Sequence, residues 1–170
     1  MQRHLTDGKT GLDTLSGIEK FSFFIRFLAP PSPLFDRPGG FGSIGKGRQV
    51  FEALGCAYCH TPTVKTGNST VAALRYQDVN LFSDLALHKM GPDLADGIVQ
   101  GEAQGDEFRT APLWGLGQRI FFLHDGRTTD LVEAILAHRS GSSEAKEVIK
   151  NFNARPESAK QDLLNFLRSL

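Results

Sequence analysis

Cys56-Ala57-Tyr58-Cys59-His60 decides how the rest of this 170-residue chain reads. Two thiols three residues apart, followed at once by an imidazole, form the attachment signature of c-type haem. Each thiol can form a thioether with one vinyl group of the porphyrin, and the spacing sets both sulfurs along one edge of the ring. His60 then falls beneath the iron, where its imidazole can serve as the proximal ligand. The chain holds only these two cysteines, so the motif uses both.

Other readings of the pentapeptide fare worse. A thioredoxin-like redox pair wants CxxC at a helix start inside a βαβ pattern, and no strand-like segment precedes Cys56. A structural zinc site needs two further ligands at finger-like spacing, and His88, His124 and His138 are too scattered for that. A Cys56–Cys59 disulfide would close a strained small loop and leave His60 without a role.

Working outward, the length suits one domain. The formal net charge is zero, with 19 basic and 19 acidic residues. That balance gives no basis for nucleic-acid or anionic-membrane binding. Thirteen phenylalanines and one tryptophan suit a core built around a flat apolar cofactor. No apolar run approaches a membrane span. Met1 to Thr10 is polar and shows no secretory leader. Covalent haem attachment takes place outside the cytoplasm, so the expectation is a periplasmic protein whose leader or upstream domain is not in this sequence.

Helix signals surround the motif. Asp13 to Ala29 places Ile18, Phe21, Phe24, Ile25 and Leu28 on one face, and Pro30-Pro31-Ser32-Pro33 ends it. Gly40 to Gly45 matches GxGxxG but lacks the βαβ context of a nucleotide loop and reads as a loop. Ser43 to Leu54 is the helix that runs into the motif. Thr61 to Arg109 reads mostly as loop, with short helices at Leu81–Leu87 and Leu94–Val99. Thr128 to His138 is a helix capped by Thr128 or Thr129, with Leu131, Ile135 and His138 on one face. Pro156 to Leu170 is the last helix, with Pro at its first position. No segment reads as a strand. The expected fold is all-α: a class I cytochrome c-like domain over residues 35–170 with long loops around one covalent haem c. Residues 1–34 form an N-terminal helix and proline-rich linker expected to pack on it.

The iron's sixth position has several candidates. His138 sits on an apolar helix stripe, where a core imidazole must find a partner, and iron is one. Met90, in Lys89-Met90-Gly91-Pro92, is the only methionine besides Met1 and stands in a loop where small cytochromes c carry a Met ligand. Its alternative is gap-filling in the core. His88 and His124 complete the set, or the position is open.

Three further blocks carry a family resemblance: Phe108-Arg109-Thr110-Ala111-Pro112-Leu113-Trp114-Gly115-Leu116-Gly117, Phe122-Leu123-His124-Asp125-Gly126-Arg127, and the helix ending in His138. Together with CxxCH, Phe27-Leu28-Ala29-Pro30-Pro31 and the run Ser83 to Pro92, they resemble the C-terminal domain of the di-haem oxidoreductases, once called thiol oxidoreductases. That family is related to bacterial di-haem cytochrome c peroxidases and to MauG. The family carries two c-type haems, one per domain, and only one CxxCH stands here. The resemblance therefore implies the C-terminal haem domain alone. There the haem is the six-coordinate electron-transfer centre, and the peroxide-splitting haem belongs to the N-terminal domain. The distal ligand lies in the helix after the HDG block, at the position held here by His138. Met is found there in the peroxidases and Tyr in MauG. His138 is thus the expected sixth ligand, with Met90 the alternative. Where the peroxidases use a Thr-x-Pro to hold calcium, this chain reads Arg119-Ile120-Phe121, which argues against calcium. Arg109 is a candidate partner for a haem propionate, with a surface ion pair as its plainer role. Trp114 is a candidate electron conduit, with packing as its plainer role. The reading is single-electron transfer with a redox partner protein or a missing N-terminal haem domain. The alternative is a peroxidase-type catalytic haem with an open sixth position.

Overall fold

The computed structural model describes residues 15–36 and 38–170. The expected start of the first helix at Asp13 lies outside the described residues. The chain divides into two compact units at the Pro30–Pro31 boundary.

In the first unit, α1 spans Gly17–Arg26. Its start is a capping box: the Glu19 amide donates to Ser16 Oγ at 3.2 Å, and the Ser16 amide donates to Glu19 Oε2 at 2.8 Å. None of its residues is buried, and Ile18, Phe21 and Phe24 stand exposed.

The second unit is organised by α2, Gly40–Leu54, and the last helix of the chain, Glu157–Ser169. They cross at Gly47. A Cβ added there would lie 2.0 Å from the carbonyl oxygen of Asp162 and 2.6 Å from Cβ of Phe166, so only glycine lets the backbones approach this closely. Ile44, Phe51 and Leu54 of α2 meet Leu163, Phe166, Leu167 and Leu170 in one core cluster. Phe51 stands edge-on to Phe166 at 5.5 Å. At the mouth of this crossing the chain leaves α2 through Gly55, at φ 95°, and enters the short 3-10 turn Cys56–Tyr58. The CxxCH motif therefore follows directly on the core helix, and Cys56 and Ala57 pack against the core cluster.

The expectation of an all-α domain is corrected here. Two small antiparallel sheets lie in the stretch read as loop. β1, Val64–Lys65, pairs with β2, Asp78–Val79. β3, Leu87–Lys89, pairs with β4, Glu107–Arg109, in the register Leu87 to Arg109, His88 to Phe108 and Lys89 to Glu107. Long loops wrapped close to a core must satisfy their backbone amides and carbonyls, and these ladders do so. The proposed short helices at Leu81–Leu87 and Leu94–Val99 are absent: Leu87 starts β3, and Leu94 closes a turn by donating its amide to Gly91 O.

After the sheets, α3 spans Leu131–Leu136. Its cap is Asp130, whose Oδ1 accepts from the amides of Val132 and Glu133, rather than Thr128 or Thr129. α4, Lys146–Asn153, has no counterpart among the helices expected from the sequence. It buries Ile149 and Phe152, and α5, the helix Glu157–Ser169, follows with Pro156 as its N-cap. Among the described residues no helix is long and apolar enough to cross a membrane.

Candidate haem-binding site

The two motif thiols are unpaired. Burial pushes Cys56 up to about 12, and burial together with the Asp84 and Glu144 carboxylates raises Cys59. Both stay protonated at neutral pH, which is the wrong state for a nucleophilic or redox-exchanging thiolate. Among the described residues no group of three or more His, Cys, Asp or Glu side chains is arranged to hold a bare metal ion.

His60 is fixed by the turn that precedes it. Its amide donates to Cys56 O at 2.9 Å, and its ring Nδ1 lies 3.1 Å from the carbonyl oxygen of Phe82. A carbonyl only accepts, so Nδ1 carries the proton and Nε2 presents its lone pair. Burial holds the His60 pKa down to about 4, so the ring is neutral. His138 repeats the arrangement. Its Nδ1 donates to Ala134 O at 2.8 Å, and burial lowers its pKa. Neither Nε2 has a hydrogen-bond partner among the described residues. The two rings are near enough that charge on His138 would disfavour charge on His60.

The end of α3 sets the position of His138. The helix stops at Leu136, Ala137 caps it, and the His138 amide donates to Ile135 O at 3.2 Å. Two residues on, Ser140 is wholly buried and its Oγ accepts from the Asp93 amide at 3.1 Å. Gly91, at φ 77°, packs so closely that a Cβ there would lie 2.6 Å from Ser140 Oγ. Arg127 ties the same loop down: its Nη1 donates to Asp93 O at 2.9 Å and its Nε to Asp125 Oδ2 at 2.6 Å. The loop that carries Met90 thus packs against the chain just past His138. Met90 itself is half-buried, with its amide donating to Asp106 O at 2.8 Å.

The remaining candidates separate. Both ring nitrogens of His88 are taken, Nδ1 by Glu144 Oε2 and Nε2 by Asp84 Oδ2, each at 2.8 Å. Two carboxylates can only accept, so His88 is an imidazolium and has no lone pair for iron. Its hydrogen bond to Glu144 is the main cause that raises its pKa. Burial alone would raise Asp84, but its hydrogen bonds, chiefly from His88, bring it down to about 2. His124 is exposed and stacks on Phe108 at 4.3 Å. Arg109 is exposed on β4 without a side-chain partner among the described residues. Trp114 is half-buried at the turn before Leu116, its amide 3.4 Å from Leu81 O. A cavity of about 490 Å³ lined by Leu116, Phe122, Leu131 and Arg119 touches none of the motif residues.

Residues 18–170 match the profile of a family described as di-haem oxidoreductase, putative peroxidase. The chain belongs to this family. A di-haem oxidoreductase works through haem and transfers electrons, and the site residues of this member suit one such group. Its thiols are protonated and unpaired, and its two neutral histidines each present a free Nε2 with Nδ1 already anchored to a backbone carbonyl. Among solved structures this di-haem oxidoreductase chain is similar to hydrazine synthase of Kuenenia stuttgartiensis, determined under xenon pressure. Identity is 18%, the TM-score is 0.58, and the match covers 90% of this chain and 55% of that one. That likeness is one of fold. The chain spans about half the length of the structure it matches. No curated protein matches.

Sequence reading named Cys56, Cys59, His60 and His138 as candidate site residues. It missed Phe82, whose carbonyl orients His60, and the Asp84–His88–Glu144 array. The acidic partners leave no periodic signal, since Glu144 reaches His88 from a distant loop.

Proposed function

We propose that this chain carries one haem c joined covalently through Cys56 and Cys59, with His60 as proximal and His138 as distal iron ligand, and that it relays single electrons. In attachment each S–H adds across a vinyl double bond: a carbon–sulfur bond forms, the hydrogen ends on the other vinyl carbon, and no electrons are left over. The iron supplies the one-electron redox change. The chain supplies everything else: two anchored thioethers, two oriented imidazoles, and burial that keeps both imidazoles neutral and available. One observation carries the reading: His60 and His138 each have Nδ1–H on a backbone carbonyl and a free Nε2. A pair of strong ligands leaves no position for peroxide and favours relay over catalysis, with the low potential typical of two imidazoles. The partner is a redox protein or a second haem domain, and the setting is the periplasm. Arg109 serves as a propionate partner and Trp114 lies on the electron path; calcium has no part.

The test is expression with haem maturation factors. The pyridine haemochrome spectrum should show one haem with both vinyl groups saturated, lost in a Cys56→Ser, Cys59→Ser double variant. The oxidised protein should be unchanged by hydrogen peroxide. A rapid reaction with peroxide would support an open, catalytic sixth position, and a colourless protein would remove the haem reading.

A further inference from the structure

Phe82 occupies a conformation that suits glycine. Its φ is 55°, in the left-handed region where a Cβ crowds the following carbonyl and a bulky residue is an outlier. Such conformations persist only where the surroundings over-determine them, and they collect at functional sites. The ring is one restraint. It is buried and stands edge-on to Phe51 at 6.1 Å and to Phe166 at 5.8 Å. The neighbours supply others. The Leu113 amide donates to Leu81 O at 3.0 Å. Ser83, wholly buried, donates its hydroxyl to Thr110 O at 2.8 Å, and the Asp84 amide donates to Cys59 O at 2.9 Å. Residues 81–84 therefore form a strap along Cys59 and His60. The left-handed step in that strap sends the Phe82 ring into the core while its carbonyl accepts the His60 Nδ1–H at 3.1 Å.

We propose that Phe82 is a positioning residue for the proximal ligand: its left-handed backbone, wedged by its ring, fixes the His60 imidazole and sets how strongly that imidazole donates to iron. The proposal rests on the reading of Cys56 to His60 as a haem site. A hydrogen bond accepted from Nδ1–H raises the basicity of Nε2. That favours ferric over ferrous iron and holds the potential down. If residue 82 relaxed toward negative φ, its carbonyl would swing away, and the potential would rise.

The experiment compares Phe82→Ala with Phe82→Gly in the haem-loaded protein. Both remove the ring and open nearly the same cavity. Glycine enters the left-handed region freely, and alanine does not. The expected result is a raised potential and faster exchange of the His60 ring proton in Phe82→Ala. Phe82→Gly should stay near wild type in both while losing at least as much thermal stability. Equal shifts in the two variants, or wild-type potentials in both, would overturn the proposal and leave Phe82 a packing residue. Should neither variant fold, the wild type decides by NMR. A slowly exchanging, hydrogen-bonded Nδ1 proton on His60 is expected, and a rapidly exchanging one overturns the proposal. Haem content is measured first: a protein without covalent haem defeats the haem reading itself, whereas a haem-loaded Phe82→Ala with unmoved potential defeats only this proposal.

Discussion

Replacing Gly47 by alanine tests whether the α2–α5 crossing is the foundation on which the haem motif stands. The added Cβ would meet Asp162 O at 2.0 Å, against an ordinary contact distance of 3.4 Å or more, and Phe166 Cβ at 2.6 Å. The obstacle at Asp162 is backbone in the middle of a helix, so it cannot rotate away. The helices must part by more than 1 Å, opening gaps around Phe51 and Phe166. Overpacking of this kind costs about 1–3 kcal/mol, occasionally more, and a clash with backbone belongs at the upper end. Against it stands the gain of roughly 1 kcal/mol for alanine over glycine inside a helix. The net expectation is a loss of about 2 kcal/mol. For a chain this long that lowers the melting temperature by about 4–8 °C, at roughly 2–4 °C per kcal/mol. Gly45 is the control. It lies on the same helix, exposed, with nothing within 4 Å of its would-be Cβ. Gly45→Ala should stabilise by up to about 1 kcal/mol. Thermal melts followed by circular dichroism read both. If Gly47→Ala melts at or above wild type, as Gly45→Ala should, the close crossing is not what the structure says it is.

Other expectations follow from single contacts. Phe51→Ala removes the ring shared by His60, Phe82 and Phe166 and should cost about 3–5 kcal/mol in urea unfolding; a loss under about 1 kcal/mol would contradict its place in the core. Asp130→Ala removes the cap of the helix that leads to His138 and should cost about 1 kcal/mol, with Asp130→Ser restoring most of it. His88 titrates above its ordinary value because its hydrogen bond to Glu144 favours the charged form. A base with a raised folded pKa adds stability that is fully present below about 6.5 and lost as pH rises through the raised value. The stability gap between wild type and His88→Gln should therefore narrow from pH 6 to pH 9, and a gap independent of pH would count against the ion array.

The legible parts of the molecule are those whose physics is local. CxxCH is readable because the attachment signature of c-type haem is a fixed local spacing of residue types. The helix into the motif from Ser43 on and the final helix are readable from apolar periodicity, with Pro156 marking the start of the latter; Gly40 to Gly42, which read as loop for their glycines, form the first turn of α2. The sheets are not: strands of two or three residues carry no alternation, and Lys89 finds Glu107 only through the folded loop between them. Leu81 to Leu87 reads as a helix because Leu and Phe recur there, yet tertiary contacts at Ser83 and His60 pull it into a strap. Nothing in the sequence marks Phe82 as left-handed. The structure pairs Asp84 of the strap with His88 of β3, and Glu144 completes the array. α4 gives a weak signal because its first residues are charged, although Val148, Ile149 and Phe152 do form a stripe.

The most direct test of the account is the absorption and EPR spectrum of the oxidised, haem-loaded protein, taken for wild type and for His138→Ala. Ligation by His60 and His138 predicts low-spin iron in wild type without the far-red methionine–iron band, and high-spin iron in His138→Ala. A His138→Ala protein that stays low-spin with the wild-type spectrum would contradict the account and move the sixth ligand to Met90.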